Sequence, residues 1–490
     1  MGALYNESSS QFQVVHHLKF LKHWWLLALL GLVLVWLLNT WRSGSVVKPT
    51  QVALDQDPYI QVYFNHSQAQ VYKDSYRHIK RHGDDLEQAI IDAIAQAQAS
   101  IDVAVQELNL PKIALALRDR AQAGVVVRVI LENQYNHTWK PLNQFQVDTL
   151  DDRKQSKHTE QQQLIDANHD DTITATELDQ GDAIRILEKS PIPLIDDTMD
   201  GSKGSGLMHH KFMVIDGQTV VLGSANWTLS GVHGDFANPE SRGNANALLT
   251  IKSSELAALF TEEFNLMWGG DSAVHSGDSL FGLQKPWRSP QTVDIPGAQV
   301  TVQFSPVSKS ESWSKSVNGL IGKTLSQAQD SVALALFVFS DQGISDRLAQ
   351  TAQTGVSVQA LIDANFIYRS YSEALDMLGT AIPDRHCKFE ANNRLWPQPI
   401  SQVGIPTLPE GDKLHHKFAL IDNHTVMLGS HNWSAAANHN NDEDFLIIRN
   451  PTVAAHFRRE FERLFEAADV GFTATLQDRL KSQRKFCRLS

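Results

Sequence analysis

The chain of 490 residues contains the same structural unit twice, and this duplication constrains its fold more than any other feature. Residues 94–132 and 325–363 share one pattern: a helix containing QAQ, an apolar strand, an amphipathic helix, then a glycine and a β-branched strand. The two glycines, Gly124 and Gly355, are 231 residues apart. Strands that alternate with helices of this length predict an α/β fold with largely parallel strands.

A second matched pair of segments follows within each copy. The first reads MHHKFMVIDGQTVVLGSANWTLSG at 208–231, and the second reads LHHKFALIDNHTVMLGSHNWSAAA at 414–437. Their offset is 206 residues, so the first copy carries 25 extra residues between the two landmarks. Short apolar runs on either side of a turn predict two adjacent strands in each segment. The shared pattern is H-x-K-x4-D-x6-G-S-x-N, with polar members His209, Lys211, Asp216, Ser224 and Asn226, and then His415, Lys417, Asp422, Ser430 and Asn432.

These side chains suit the chemistry of a phosphate group. Residues two apart on a strand share a face, so His209 points with Lys211, and His415 points with Lys417. Lysine supplies a compact positive charge, while serine and asparagine supply directional hydrogen-bond donors. Imidazole acts as a nucleophile or as an acid and base near neutral pH. Two such half-sites together therefore predict a phosphoryl-transfer centre.

The duplicated motif resembles the HKD signature of the phospholipase D superfamily, over about residues 60 to 470. The resemblance implies two α/β/α-sandwich halves, related by a pseudo-two-fold axis, with one active site between them. It also implies that one histidine attacks phosphorus to form a phosphohistidine while the other protonates the leaving alcohol and then activates water or another alcohol. By similarity, His209 is the nucleophile and His415 the general acid. The family needs no catalytic metal.

Further polar residues are expected to support the two histidines. Asp216 and Asp422 are expected to tie the turn after each strand. Glu443 lies where superfamily nucleases carry a glutamate that orients an imidazole; the alternative is a solvated loop residue. The first copy has Asn244 and Asn246 in the corresponding stretch, so the two histidines are expected to be tuned differently.

The extra residues of the first copy contain a calcium-type loop, DANHDDTITATEL at 166–178. Its spacing resembles an EF-hand loop between two short helices, in an insert at about 155–190. Position 6 is Asp171, where such loops usually have glycine. We expect weak binding of Ca²⁺ in a structural or regulatory role; the alternative is an acidic solvated loop. The expected ligands are Asp166, Asn168, Asp170, Thr172, Thr174 and Glu177.

The N-terminal part contains one apolar run, WWLLALLGLVLVWLL at 24–38, with tryptophans at or near the ends of the segment 24–41. This run predicts a single membrane helix; a buried core helix is the alternative. No A-x-A cleavage site follows it, which favours an uncleaved anchor with the body outside the cytoplasm (periplasmic, lumenal or extracellular). Cations flank both sides equally and leave the orientation open.

The predicted boundaries are 1–45 for the tail and anchor, 46–268 for the first half, 269–299 for a linker and 300–490 for the second half. Since both half-sites occur in one chain, a monomer is expected. A net charge of −12 argues against a dedicated nucleic-acid coat. For the basic C-terminal tail DRLKSQRKFCRLS we expect a solvated terminus; contact with anionic lipid or nucleic acid is the alternative. Cys387 and Cys487 lack the spacing of a zinc knuckle and leave a single disulfide open.

Several functions fit this site. The first is a phosphodiesterase that hydrolyses phospholipids, and the second is a nucleic-acid phosphodiesterase, since HHKF with GS-x-NW resembles the superfamily's endonucleases and its mitochondrial cardiolipin hydrolases. A cardiolipin synthase-type transferase fits less well, because there is one membrane segment and GSxN replaces GTxN. A calcium-responsive binding module with an inactive site is disfavoured by two intact motifs. The loops 190–206 and 394–413 are candidate rims of the cleft, where Trp396 would stack on a base or contact lipid; plain surface loops are the alternative.

Overall fold

A computed structural model describes residues 47–488 of the chain. The predicted membrane segment lies outside these residues. Within them, none of the helices has the length and apolar character needed to span a membrane. Pro49–Ser490 form one unit by their contacts, so the two copies fold together.

The first half contains the helices and strands that carry the first HKD motif. Its strands are β1 (Ile60–Phe64), β2 (Val71–Lys73), β3 (Lys80–His82), β4 (Ser100–Val105), β5 (Val126–Leu131), β6 (Leu194–Asp196), β7 (Leu207–Met208), β8 (Lys211–Ile215), β9 (Thr219–Gly223) and β10 (Ala247–Lys252). Its helices are α1 (Leu86–Gln96), α2 (Pro111–Gln122), α3 (Gln144–Asp148), α4 (Asp152–Ile165), α5 (Ala175–Gly181), α6 (Ala183–Glu188), α7 (Leu229–Val232) and α8 (Ser254–Trp268).

The second half repeats this order around the second motif. Its strands are β11 (Gln291–Ile295), β12 (Ala298–Ser305), β13 (Ser331–Leu336), β14 (Phe339–Ser340), β15 (Ser357–Ile362), β16 (Val403–Ile405), β17 (Lys417–Ile421), β18 (Thr425–Gly429), β19 (Trp433–Ser434), β20 (Asn441–Arg449) and β21 (Asp469–Val470). Its helices are α9 (Val317–Leu325), α10 (Gln342–Gln353), α11 (Glu373–Met377), α12 (Ala435–His439), α13 (Pro451–Glu466) and α14 (Ala474–Phe486), and 3-10 turns occur at Gly282–Gln284 and Trp313–Lys315.

Each half is built on a mixed sheet. The first sheet has the order β1-β10-β9-β8-β4-β5-β6, and the second has β11-β12-β20-β18-β17-β13-β15-β16-β21. Strands β4, β5 and β6 are parallel, as are β13, β15 and β16, whereas the other neighbours along both sheets are antiparallel. The mixed α/β class is confirmed, but the expectation of largely parallel strands is wrong. Tight turns such as the one between β8 and β9 can join only antiparallel neighbours.

The repeated sequence pattern folds as the same succession of elements in both halves. The first copy forms α1, β4, α2 and β5, and the second forms α9, β13, α10 and β15. Gly124 and Gly355 follow α2 and α10 with φ angles of 95° and 98°, a left-handed conformation that glycine adopts without a Cβ clash. The HKD segments then form the hairpins β8–β9 and β17–β18.

A shared core joins the two halves. Its apolar side chains come from both sheets and from α8 and α13, including Phe260, Phe264, Phe457 and Phe461. Burial of each such phenylalanine stabilises the fold by about 1.5–3 kcal/mol. Separate clusters cover the outer face of each sheet. Because the central core is common to both halves, the central strands that carry the two motifs are held in a fixed relation.

The structure adds two details to the sequence analysis: a strand within the expected linker, and the state of the two cysteines. The segment 269–299, expected to be a linker, contains β11, which pairs with β12 at the edge of the second sheet. Cys387 and Cys487 form a disulfide with a Cα–Cα distance of 5.4 Å. It joins the loop before β16 to the end of α14.

Candidate active site

The two HKD motifs meet because each half supplies a strand to the other. β7, just before His209, pairs in parallel with β20 of the second half. Residue Leu414, just before His415, forms the equivalent bridge with Ala245 of the first half. The backbone N–H of His209 donates to the carbonyl of Asp442 in the second half (3.0 Å). The backbone N–H of His415 donates to the carbonyl of Ala245 in the first half (3.1 Å). Each motif histidine is therefore positioned by the opposite copy.

The side chain of His209 is oriented by Glu443. His209 Nδ1 lies 2.6 Å from Glu443 Oε2, and Asn441 donates to the other carboxylate oxygen (3.1 Å). Glu443 is fully buried, which excludes the alternative of a solvated loop residue. Since a carboxylate accepts the hydrogen on Nδ1, the Nε2 lone pair of His209 is left for an electrophile.

The side chain of His415 is oriented by an amide instead. Its Nδ1 lies 3.0 Å from Asn246 Oδ1, which also accepts from Ser224 Oγ at 2.7 Å. Asn246 Nδ2 donates to the carbonyls of Gly231 (2.8 Å) and Asn244 (3.1 Å), so the oxygen of this amide must face the imidazole. His415 therefore also has its hydrogen on Nδ1. Within residues 47–488, neither motif histidine has a hydrogen-bonding partner at Nε2.

Both motif lysines are buried beside the histidines. Lys211 Nζ donates to the carbonyl of His209 (2.7 Å) and to Gln106 Oε1 (3.2 Å). Lys417 Nζ donates to the carbonyl of His415 (2.7 Å) and lies 5.2 Å from the centroid of the Phe337 ring. Burial lowers the pKa of Lys211 to about 8. Burial and the charge of Lys211 hold the pKa of Lys417 well below its usual value.

The same burial and charges act on the two imidazoles. Burial, with the cations of Lys211 and Lys417, holds the pKa of His209 well below its usual value, and the same causes act on His415. Burial also raises the pKa of Glu443. Burial and the lysine charges thus disfavour protonation of both imidazoles and of Lys417, and a bound anion would offset this effect.

The remaining motif residues support the framework or face the site. Asp216 accepts three backbone N–H groups, from residues 98–100, and Asp422 accepts three from residues 329–331. These contacts tie each hairpin turn, the role expected from the sequence. Ser430 Oγ accepts from the backbone N–H of Asp444 (3.0 Å), so the serine hydroxyls hold the framework. Among the described residues, Asn226 Oδ1 and Asn432 Oδ1 are buried without a partner.

Several supporting residues were not found from the sequence. Glu132 and Asp363 each accept the backbone N–H of the residue before a motif histidine, at 2.6 and 2.9 Å. Gln106 and Phe337 contact the two lysines. Both pairs are separated by the 231-residue offset of the repeat, and aligning the copies at that offset would have exposed them.

The second histidine of each HH pair is structural. His210 and His416 are fully buried, and each has its Nε2 near a core glutamate: Glu263 at 2.9 Å and Glu460 at 3.1 Å. The strands place both residues in the core between the halves, so neither histidine lies at the surface.

The predicted cleft aromatic and the calcium-type loop lie outside this cluster. Trp396 is buried, with Nε1 donating to Ser345 Oγ (3.1 Å), so it cannot stack on a ligand. The helices that flank the calcium-type loop are present as α4 and α5. Within residues 47–488 no three His, Cys, Asp or Glu side chains are gathered to hold a metal ion.

The loop side chains bond to the loop itself. Asp166 accepts from the backbone N–H groups of Asp170 (3.2 Å) and Asp171 (2.9 Å), and Glu177 caps α5 through Thr174. Of the other predicted ligands, Asn168 Oδ1 also accepts from the N–H of residue 170, and Thr172 donates its N–H to the carboxylate at 170. Ca²⁺ binding at this loop stays a prediction.

Two motif-bearing halves with one interfacial set of histidines and lysines define the phospholipase D class. The chain belongs to this superfamily: the family model described as "Cardiolipin synthase, PLD-like domain" matches residues 90–268 and 321–465. A crystal structure of phosphatidylserine synthase from Haemophilus influenzae Rd KW20 has the same fold, with a TM-score of 0.52 and 13% identity over 89% of this chain and 94% of that chain.

The matches to curated relatives cover a smaller part of the chain. The chain is 28% identical to the mitochondrial cardiolipin hydrolase of Mus musculus over 147 residues, which are 30% of this chain and 57% of that protein. The chain is 26% identical to the mitochondrial cardiolipin hydrolase of Xenopus tropicalis over 145 residues, which are 30% of this chain and 59% of that protein. The chain therefore spans little more than half the length of these relatives.

Proposed function

We propose that this protein is a phosphodiesterase that hydrolyses phospholipid phosphodiester bonds. The observation that carries this proposal is the buried set of two histidines and two lysines. Burial lowers all four pKa values, and the lysine charges lower those of His209, His415 and Lys417 further. A phosphodiester anion supplies the missing counter-charge, and its non-bridging oxygens accept from the lysines. The cardiolipin hydrolases among the relatives and the predicted membrane segment favour a lipid as the substrate.

Our assignment of roles to the two histidines rests on their different partners. In the first step His415 is an imidazolium, protonated on both ring nitrogens beside the bound phosphodiester anion. His209 Nε2 attacks phosphorus, the P–O bond to the leaving alcohol breaks, and His415 gives its Nε2 proton to that oxygen. The phosphorylated imidazole is positively charged, and Glu443 stabilises it. In the second step His415 accepts a proton from water, the water oxygen bonds to phosphorus, and the P–N bond breaks. Asn246 adds no charge, so His415 gives up and takes back its proton easily.

The first experiment tests the substrate class. The full chain, His209→Ala and the surface control His137→Ala are incubated with labelled phospholipid vesicles and with single- and double-stranded nucleic acid. We expect phospholipid hydrolysis by wild type and His137→Ala, and a loss of about 10⁴-fold in His209→Ala. Hydrolysis that survives in His209→Ala contradicts the mechanism. Cleavage of nucleic acid alone contradicts the lipid substrate but leaves the mechanism standing.

A second experiment tests the order of the histidines. With a phosphorus-labelled substrate that has a good leaving group, His415→Ala should accumulate a base-stable, acid-labile phosphoenzyme, because attack needs no general acid but hydrolysis needs the base. His209→Ala should show none. Label found on His415 in the His209→Ala variant would reverse the assignment.

We also propose that the body lies outside the cytoplasm. Disulfides persist in oxidising compartments, and Cys387 and Cys487 are bonded. Alkylation of the isolated protein before and after reduction tests this: thiols that react before reduction would contradict it.

A further inference from the structure

A second surface lies at the disulfide, apart from the HKD motifs in sequence. The loop 384–388 closes on itself, since Asp384 N–H donates to the carbonyl of Lys388 (2.8 Å), and Gln483 of α14 donates to the carbonyl of Asp384 (3.0 Å). The bond between Cys387 and Cys487 then fixes the loop against the end of α14. We call the exposed residues at this junction the disulfide patch: Arg385, Lys388, Phe389, Arg484, Lys485, Phe486 and Arg488.

The disulfide patch combines five cations with exposed aromatic rings, and its loop also holds the carboxylate of Asp384, which interacts electrostatically with Lys388. Phe389 is 51% exposed and Phe486 is 67% exposed. Within residues 47–488, none of the five cations lies within ion-pair distance of a carboxylate, whereas Lys481, one turn earlier, is 3.8 Å from Asp478. The patch therefore concentrates positive charge on a chain whose net charge is −12.

We propose that the disulfide patch docks the body onto an anionic membrane surface. Exposed cations are attracted to anionic headgroups, and exposed phenylalanine rings gain from burial at the boundary between headgroups and acyl chains. The rest of this acidic body is repelled by the same surface, so the patch also orients the body. The disulfide keeps the cations of the loop and of α14 together.

A lipid surface fits the patch better than a nucleic-acid strand. Single-stranded nucleic acid is usually bound along a groove that tracks its backbone and stacks its bases. Here both rings are more than half exposed, one at a helix end and one beside a loop. A membrane tether at residues 24–38, as predicted, would hold the body near lipid, so a few weak contacts suffice. The proposal does not depend on which phosphodiester the active site hydrolyses.

The experiment uses the full chain reconstituted in phosphatidylcholine vesicles, with or without phosphatidylglycerol. Both native cysteines are in the disulfide, so Ser482→Cys, at an exposed position of α14, offers a single thiol for a fluorophore beside the patch. We expect spin-labelled lipid to quench the fluorophore only with phosphatidylglycerol, and less at high salt. Arg484→Glu with Lys485→Glu should weaken docking at least about 25-fold, since each cation near an anionic surface contributes about fivefold.

Matched variants separate docking from folding. Phe389→Ser with Phe486→Ser should also reduce quenching, whereas Phe472→Ser, which changes a 51%-exposed ring outside the patch, and Lys323→Glu should not. All variants should keep the wild-type melting temperature. Equal quenching in neutral and anionic vesicles, or unchanged quenching in the patch variants, overturns the proposal. An oligonucleotide that binds through these residues, with no lipid-dependent quenching, overturns it as well.

Discussion

The two halves hold their motif histidines by the same backbone contacts but with different side chains. Glu443 and Asn246 occupy matching positions, since β10 pairs with β9 and β20 with β18 in the same register. Glu443 contacts His209, and Asn246 contacts His415. A carboxylate stabilises an imidazole that becomes positively charged, and an amide fixes the tautomer without adding charge. Duplication thus preserves the geometry of the site, while the partner of the motif histidine carries a charge in one pair and none in the other.

The sharpest test of this difference removes the carboxylate. Glu443→Gln keeps the shape but leaves a neutral partner for His209 when the phosphohistidine forms. We expect kcat to fall by about 10³-fold, because loss of a buried carboxylate behind a catalytic histidine costs a large part of the rate. Steady-state hydrolysis of the proposed phospholipid substrate measures the effect.

Glu466→Gln serves as the control, since Glu466 is exposed at the end of α13. Its kcat should match the wild type. If Glu443→Gln retains full activity, the carboxylate has no part in the reaction and the assignment of His209 as nucleophile loses its basis.

The next prediction concerns the pH dependence set by Lys211. Burial lowers its pKa to about 8, so the cation is present below that pH and is lost as the pH rises through it. The value of kcat/KM should therefore fall about tenfold per pH unit above about pH 8. Lys211→Arg, whose guanidinium stays charged, should flatten this limb even if its maximum rate is lower. A limb that is unchanged in Lys211→Arg would show that another group titrates.

A smaller effect is expected when the first half is made to resemble the second. Asn246→Asp places a carboxylate against His415 and should raise the pKa of that imidazole. A more basic His415 holds its proton longer, so hydrolysis of the phosphoenzyme at neutral pH should slow by up to about tenfold. Single-turnover measurements of phosphoenzyme decay provide the test.

Asn244→Asp is the matched control for that change. Asn244 Oδ1 accepts the backbone N–H of Lys413 (3.0 Å), a bond that aspartate retains, and the side chain does not contact His415. Its phosphoenzyme should decay at the wild-type rate. Equal rates in all three proteins would mean that the charge of the partner at position 246 does not matter.

The sequence predicted what depends on local patterns. Residue periodicity and a fixed internal spacing identify the repeated helices and strands, the two hairpins and the polar residues of the motifs. Glu443 was predicted to orient an imidazole only through the family resemblance. Which of the two histidines it orients was out of reach, because the pairing of β7 with β20 joins residues more than 230 positions apart through a strand of two residues. Trp396 was assigned to a rim because its loop is rich in proline, but α10 buries it. Local sequence does not show which surface a neighbouring element will cover.

The smallest expected effect concerns the insert that only the first half carries. In the described conformation Glu177 caps α5 through Thr174. Bidentate coordination of Ca²⁺ by Glu177 would compete with this cap, so millimolar Ca²⁺ should raise the melting temperature over that in chelator by only about 1–2 °C. Asp166→Asn with Glu177→Gln should abolish the difference. The loop is linked to the first half through α4, where Glu160 accepts from Asn109 (2.9 Å), so an ion bound in the loop should stabilise the whole body. A shift in melting temperature that persists in this variant would place the ion elsewhere. The absence of a shift in the wild type would mean that the insert does not bind Ca²⁺.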